Sequence, residues 1–373
     1  MEYGERREDI MKKVTEVLER TSNRRSFLKN GMIAGAVATA GAGILGSGLP
    51  AFAKEPSNAK ITEGDIAILR FLAAAEIIET DLWQQYAELG GLSSGAQNSY
   101  QLAFQQLDSD GSQYITSNTL DEMTHANFLN AYLASKGAAG VNLNKFRTLP
   151  SSQATGAKQI GRLTNLMQLT VDTSWYIRYR SKTNPDFGAT FPQAVTITDK
   201  PAIPITNADF GPPDHIQAIA DTAAFHFGTI EQGGSTLYSA MAQKASNVEV
   251  LRIVVSIGGD EVAHFLEWVD FAGNAASAPL APLTDPITGL TIPNLNASGS
   301  PLTQTNLIFP IPCEFIEASL PRCAVIRPTD PTGIATGVVK FLTDMGLFIG
   351  QPVEFFDTLS TLATAADAAQ RAF

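Results

Sequence analysis

Four segments with helical periodicity each place a glutamate in phase with large apolar side chains. Residues that alternate three and four apart share one buried face of an amphipathic helix. An ionised carboxylate on that face is costly unless it is paired or bound to a metal ion. The pattern therefore predicts a helical bundle whose central carboxylates need a positive partner. The four series are Leu69, Leu72, Glu76, Glu79, Trp83 and Tyr86; Glu122, His125, Leu129 and Tyr132; Phe227, Glu231, Gly234, Tyr238 and Met241; and Ile257, Glu261, His264, Trp268 and Phe271.

Two of these segments share the motif Glu-x-x-His. The motif pairs Glu122 with His125 and Glu261 with His264, and the chain has only 4 histidines. A separation of three residues puts both side chains on one helix face, one turn apart. Carboxylate oxygen and imidazole nitrogen together suit iron or manganese better than calcium or copper. The motif therefore indicates a metal site.

Two alternatives remain open at this point. Each motif alone is also compatible with a hydrogen-bonded polar pair in a core. In the first segment, Glu79 shares a face with Glu76 and competes with it as the ligand. We favour Glu76 and expect Glu79 to accept a hydrogen bond from a ligand histidine, as carboxylates around metal sites often do.

Two Glu-x-x-His helices, together with one further glutamate from each of two other helices, form the ligand pattern of dinuclear iron and manganese bundles. The chain resembles the ferritin-like superfamily, most closely its exported members, which include desiccation- and stress-related proteins. The resemblance rests on Leu-Arg-Phe-Leu-Ala-Ala-Ala-Glu ending at Glu76, on 121–125 and 260–264 around the two motifs, and on 230–234. It implies an all-α fold, a ferritin-like four-helix bundle with an inserted helix and a C-terminal extension.

The resemblance also implies the chemistry of the site. Two iron or manganese ions, with iron favoured, would be bridged by Glu122 and Glu261. Glu76 with His125, and Glu231 with His264, would be the terminal ligands, and no catalytic residue beyond the ligands is expected. Such a protein would oxidise iron or react with oxygen or peroxide in stress protection. The alternative is a non-catalytic stress or desiccation protein of the cell envelope, with a structural or vestigial metal site.

Residues 1–53 are typical of a twin-arginine export signal. Arg24 and Arg25 precede a stretch without charges at 31–53, which ends in Ala51-Phe52-Ala53. This small-x-small ending favours cleavage after Ala53 and a periplasmic or exported protein. A retained membrane anchor is the alternative, because the stretch is long enough to span a bilayer. In an oxidising compartment, Cys313 and Cys323 could form a local disulfide, although spacing alone does not establish one.

Composition excludes several other classes of protein. The net charge of -11 argues against nucleic-acid binding, which needs clustered Lys and Arg. A chain with 2 cysteines cannot build a zinc or iron–sulfur site whose ligands are all cysteines. The predicted partners are metal ions and oxygen or peroxide, with a membrane only if the signal is retained. A homodimer is one open alternative for the oligomeric state.

We divide the chain after the signal into a bundle domain at 54–280 and an extension at 281–373. The extension begins as an irregular stretch rich in Pro and Thr and becomes helical from about Gly333, with a break at 350–352. Five segments are predicted to be helical: 63–89, 117–135, 156–180, 213–244 and 248–272.

Three smaller features complete the prediction. We expect His215, in the first turn of its helix, to be exposed. We expect His226 to be a partly buried histidine with a satisfied hydrogen bond rather than a ligand. Gly234 lowers helix propensity, and a close approach by a neighbouring helix or by oxygen at the metals would explain it.

Overall fold

Four long helices form the centre of the molecule. The computed structural model describes residues 60–92, 98–178, 192–297, 317, 319–321 and 331–372. These residues all belong to one compact unit, 59–373. The predicted export signal, Cys313 and Cys323 lie outside the described residues. Within the described ranges, no helix combines the length and the apolar character needed to cross a membrane.

The four core helices are antiparallel in pairs. They are α1 (Glu63–Gly90), α3 (Gly111–Ser135), α5 (Pro213–Lys244) and α6 (Val248–Ala275). Helix α1 packs along α3, and α5 packs along α6. The prediction of an all-α bundle is confirmed, and four of the five predicted helices are present with nearly the predicted bounds.

Local sequence signals explain where the core helices begin and end. Thr62 caps α1, because its side chain accepts from the Asp65 backbone N–H while the Asp65 carboxylate accepts from the Thr62 N–H. The Asn247 side chain caps α6 by accepting from the backbone of residues 249 and 250. Helix α1 ends at Gly90, where a Cβ atom would overlap the Phe104 ring of the next helix. These local contacts fix where the core helices begin and end.

The predicted helix over 156–180 is wrong. Its described part is mostly irregular, and contains strand β1 (Leu169–Val171) and the short helix α4 (Trp175–Arg178). Strand β1 pairs antiparallel with β2 (Ile197–Lys200). The backbone N–H groups of Leu163 and Thr164 donate to the Asp81 carboxylate on α1 instead of forming helical hydrogen bonds. The leucines that create the helical pattern are buried, but in an extended segment laid against α1, so tertiary contacts override the periodicity.

Two further regions complete the fold. Helix α2 (Ser99–Leu107), which the sequence analysis missed, connects α1 to α3. After α6, strands β3 (Leu283–Thr284) and β4 (Thr291–Ile292) form a short hairpin. Helices α7 (Ile334–Asp344) and α8 (Val353–Ala368) follow, as the composition of the tail predicts. Helix α8 packs against α1, which joins the extension to the core of the bundle.

Candidate metal centre

The six residues predicted as metal ligands converge in the middle of the bundle. Each core helix contributes at least one of them, and all six are buried. Their potential ligand atoms form two groups, within each of which all atoms lie within 4.8 Å of one another. The first group is Glu76, Glu122, His125 and Glu261, and the second is Glu122, Glu231 and His264. The groups could hold metal ions.

His125 is the centre of the first group. Its Nδ1 atom lies 3.4 Å from Glu76 Oε2, 3.3 Å from Glu122 Oε2 and 3.8 Å from Glu261 Oε1. His264 has the same role in the second group, with Nδ1 3.1 Å from Glu122 Oε1 and 3.3 Å from Glu231 Oε2. Glu122 thus directs one oxygen to each histidine, which suits the bridging role expected for it. Glu261, expected to be the second bridging ligand, belongs only to the first group.

Several polar atoms of this centre are buried without a hydrogen-bond partner among the described residues. They are Glu76 Oε2, Glu122 Oε1, Glu231 Oε2, both carboxylate oxygens of Glu261, and His264 Nδ1. An unsatisfied buried acceptor costs about 1–3 kcal/mol, more if it is charged. Here the unsatisfied atoms face one another. Cations between them would satisfy all of these atoms at once, so the residues fit a metal centre.

The pKa shifts of the carboxylates and histidines show which groups of the centre hold a proton. Burial, together with Glu122, raises the pKa of Glu76 to about 8, and burial raises the pKa of Glu231 to about 7. Burial would also raise the pKa of Glu122, but its close contacts with both histidines lower it to about 2. Burial opposes the charged form of His125, yet Asp260, Glu122 and Glu76 raise its pKa to about 12. Metal ions would replace these protons, so metal binding is expected to release them.

Two aspartates that the sequence analysis did not assign contact the far side of the histidine rings. Asp260 Oδ2 lies 3.2 Å from His125 Nε2, and Asp121 Oδ2 lies 3.4 Å from His264 Nε2. A proton held on Nε2 leaves the Nδ1 lone pair free to face a metal. Each aspartate directly precedes a motif glutamate, so the shared Asp-Glu-x-x-His pattern was the available signal.

These aspartates occupy the position that we expected Glu79 to fill. Glu79 lies near the centre, since Glu122 and Glu76 add to the effect of burial in raising its pKa. Among the described residues, however, neither group includes it. Glu76 is the α1 carboxylate that the structure brings to the histidines.

Neighbouring side chains hold the carboxylates in place. The Trp83 indole N–H donates to Glu231 Oε1 at 3.1 Å, and the Tyr238 hydroxyl donates to Glu76 Oε1. A Cβ atom at Gly234 would overlap Glu261 Oε2, so the glycine makes room for this carboxylate from the neighbouring helix. The aromatic residues also pack as expected for a core, with Trp83 stacked on Phe227 at 4.8 Å between ring centroids.

The other two histidines lie outside the centre. The expectation that His215 is exposed is wrong, because it is buried between Asp285, 2.9 Å from Nδ1, and Asp209, 3.4 Å from Nε2. Asp285 comes from the β3–β4 region, which no local pattern could place over the start of α5. His226 is fully buried, and its Nδ1 lies 2.7 Å from the Tyr86 hydroxyl. His226 is therefore a core histidine whose Nδ1 is hydrogen-bonded, as expected. Its Nε2 has no partner among the described residues.

Comparison with known proteins identifies one family. A family model described as a ferritin-like domain matches residues 64–268, a stretch that contains all six predicted ligands. No curated protein and no solved structure gives a significant match to the chain.

Proposed function

The chain belongs to the ferritin-like domain family, and from this premise we propose that it is an exported protein with a dinuclear iron or manganese centre. We propose that it uses the centre to oxidise iron or to react with oxygen or peroxide in stress protection. The observation that carries this proposal is the set of buried, mutually facing carboxylate oxygens without partners. Buried polar atoms are normally hydrogen-bonded, so a cluster of unsatisfied ones that face one another supports a bound cation.

Charge and ligand number support two ions rather than one. Glu76, Glu122, Glu231 and Glu261 supply four negative charges when ionised, which two divalent cations neutralise. Glu76 with His125 would hold one ion, and Glu231 with His264 the other. Glu122 would bridge them, and Glu261 would bind from the first group. Iron and manganese both take mixed carboxylate and imidazole ligands, and of the two we favour iron.

Bound iron or manganese would supply the change in oxidation state that a reaction with oxygen or peroxide requires. The protein's own residues have supporting roles. Asp260 and Asp121 hold the Nε2 protons of the histidines, and Trp83 and Tyr238 orient Glu231 and Glu76 through hydrogen bonds. Because the carboxylates are almost fully buried, the surrounding side chains exclude bulk water from the ligands.

We also propose export by the twin-arginine route, which the N-terminal sequence supports. Replacing Arg24 and Arg25 together by lysine should retain the protein in the cytoplasm, measured by cell fractionation. The chain offers a matched control in the preceding arginine pair, Arg6 and Arg7. If both double variants are exported equally, Arg24 and Arg25 are not an export signal.

The direct test is metal content per chain, measured by elemental mass spectrometry on protein produced in its own export pathway. We expect close to two iron or manganese ions in the wild type. The Glu122→Ala/Glu261→Ala double variant should lose them, because it removes the shared ligand and a further carboxylate. Glu354→Gln, an exposed glutamate on α8, is the control and should keep both ions. A folded wild type without metal would overturn the proposal.

Turnover separates the catalytic proposal from its rival. Metal-loaded wild type should oxidise ferrous iron or consume hydrogen peroxide faster than the double variant. Bound metal that raises the unfolding temperature but gives no turnover with either substrate would instead support a structural metal site in a non-catalytic envelope protein.

A further inference from the structure

A crevice outside the metal centre lies between α1, α3 and the segment that follows α3. It has a volume of about 230 Å³ and a lining rich in polar side chains. The polar lining residues are Thr80, Asn127, Asn130, Asn142, Asn144 and Arg147. No acidic side chain is among the described residues that line it. We propose that this crevice binds a small oxyanion, either a carboxylate or a phosphate.

Three asparagines use their acceptor atoms within the protein and leave their donors for a ligand. Asn130 Oδ1 accepts from the Val141 N–H at 2.7 Å, and Asn142 Oδ1 accepts from the Asn144 N–H at 2.8 Å. Asn144 Oδ1 accepts from Arg147 Nε at 3.3 Å. Because the partners are donors, the amide orientations are determined, and each Nδ2 group remains a free donor among the described residues. A surface made of N–H donors matches the oxygens of an anion.

Arg147 adds a fixed positive group. Its Nη1 contacts Asp81 Oδ1 at 2.5 Å, and with the Nε bond to Asn144 this holds the guanidinium in one orientation. Asp81 is fully buried and also accepts from the backbone N–H groups of Leu163 and Thr164. The Asp81 carboxylate is therefore shared among several donors, of which Arg147 is one. Nη2, which has no partner among the described residues, completes the donor set for an oxyanion.

Thr80 is the observation that points most directly to a ligand. It is only 8% exposed, and its hydroxyl has no hydrogen-bond partner among the described residues. Other helical threonines in this protein donate to the carbonyl four residues earlier, as Thr119 and Thr222 do. Thr80 does not, although its buried hydroxyl gains by any hydrogen bond. Thr80 lines the crevice, so a rotation of its side chain would bring the buried hydroxyl to a ligand oxygen there, which would supply the missing acceptor.

The backbone after α3 leaves space for the side-chain amide of Asn130. A Cβ atom at Gly140 would lie 2.5 Å from Asn130 Oδ1, so any larger residue would displace the Asn130 side chain. The glycine thus preserves the position of one of the crevice donors.

Isothermal titration of the full protein with sodium phosphate, and separately with sodium succinate, tests the proposal. We expect saturable binding of at least one probe. Asn142→Asp keeps the acceptor for the Asn144 N–H but replaces a donor by a negative oxygen, and should weaken binding at least about tenfold. Thr80→Val should weaken it by about threefold to tenfold without lowering the unfolding temperature, because it removes a hydroxyl that has no partner in the protein.

The control is Lys145→Gln, which removes a positive charge from the same segment at an exposed position that does not line the crevice. It should bind like the wild type. Binding of succinate alone identifies a carboxylate ligand, and binding of phosphate alone identifies a phosphate. Binding of both supports a general oxyanion site.

Absence of binding by both probes would overturn the proposal, as would equal affinities in the wild type and both crevice variants. The Glu122→Ala/Glu261→Ala protein should keep its affinity for the probe. Loss of affinity in that double variant alone would place the anion at the metal centre and also overturn the proposal.

Discussion

The candidate metal centre and the isolated buried groups Asp221 and His226 lie in the same four-helix core, yet burial leaves them with different charges. At the centre, each histidine faces carboxylates from more than one helix. His226 has the Tyr86 hydroxyl at 2.7 Å, and the Asp221 carboxylate accepts from Gln217 at 2.9 Å. Convergence of ligands from several helices distinguishes the centre, whereas burial is common to both regions.

The pKa shifts show the consequence. Burial raises the pKa of Asp221 to about 8 and lowers the pKa of His226 to about 3, so both isolated groups are neutral at pH 7. At the centre, facing carboxylates raise the pKa of His125 and His264 despite their burial. An isolated ionisable group in a core loses its charge, whereas in the convergent set Glu122 and the two histidines keep theirs by facing one another. Three predictions test this difference.

The largest effect is expected from Gly234→Ala. The added methyl group would overlap Glu261 Oε2, and because a carboxylate end can swing aside, the fold should survive while the ligand is displaced. We expect metal affinity to fall by more than about 100-fold, the upper range for losing a supporting contact. Gly259→Ala is the matched control: its Cβ would meet nothing, so metal content should not change and stability should rise by about 0.5–1 kcal/mol. Equal metal content in both variants would refute the positioning role of Gly234.

A smaller effect is expected from Asp260→Asn. The change preserves shape but weakens the acceptor for the His125 Nε2 proton, and should lower metal affinity about 10–100-fold. Competition with a chelator of known affinity measures it. Asp344→Asn, at an exposed helical carboxylate, is the control and should match the wild type. An unchanged affinity in Asp260→Asn would show that the contact with His125 does not tune the centre.

The smallest effect concerns the isolated region and is a pH dependence. The folded pKa of Asp221 is raised to about 8 from an ordinary value of 3.8. Its contribution to stability is therefore fully present below about pH 4 and is lost as the pH rises through 8. Asp221→Asn removes this titration. The free energy of unfolding of the variant, relative to that of the wild type, should therefore rise by at least about 1 kcal/mol between pH 5 and 9.

Denaturant unfolding across this pH range measures the Asp221 effect. Comparing the two proteins at each pH cancels the titration of the metal centre, which both retain. Parallel stability profiles would mean that Asp221 is not held neutral by burial.

Much of this architecture follows from local sequence. The glutamates in phase with Leu, Phe and Trp predict the four core helices, because an amphipathic stripe is a property of a single segment. The two Glu-x-x-His motifs identify candidate ligands for the same reason: a spacing of three fixes a shared helix face. The stretch 156–180 shows the limit of such reasoning. Its leucines have helical spacing, but two of its backbone N–H groups donate to the Asp81 carboxylate on α1 instead of forming helical hydrogen bonds.

The sequence alone determined the helical class, the four core helices and the residues able to serve as ligands, because each depends on neighbours within one helix. Only the tertiary structure decided which atoms meet. It brought Asp260 to His125 and Asp121 to His264 across the bundle, buried His215 beneath a distant hairpin, and assembled the donors of the crevice around Thr80. These contacts join residues far apart in the chain, and their positions depend on how whole helices and loops pack, which no local pattern records.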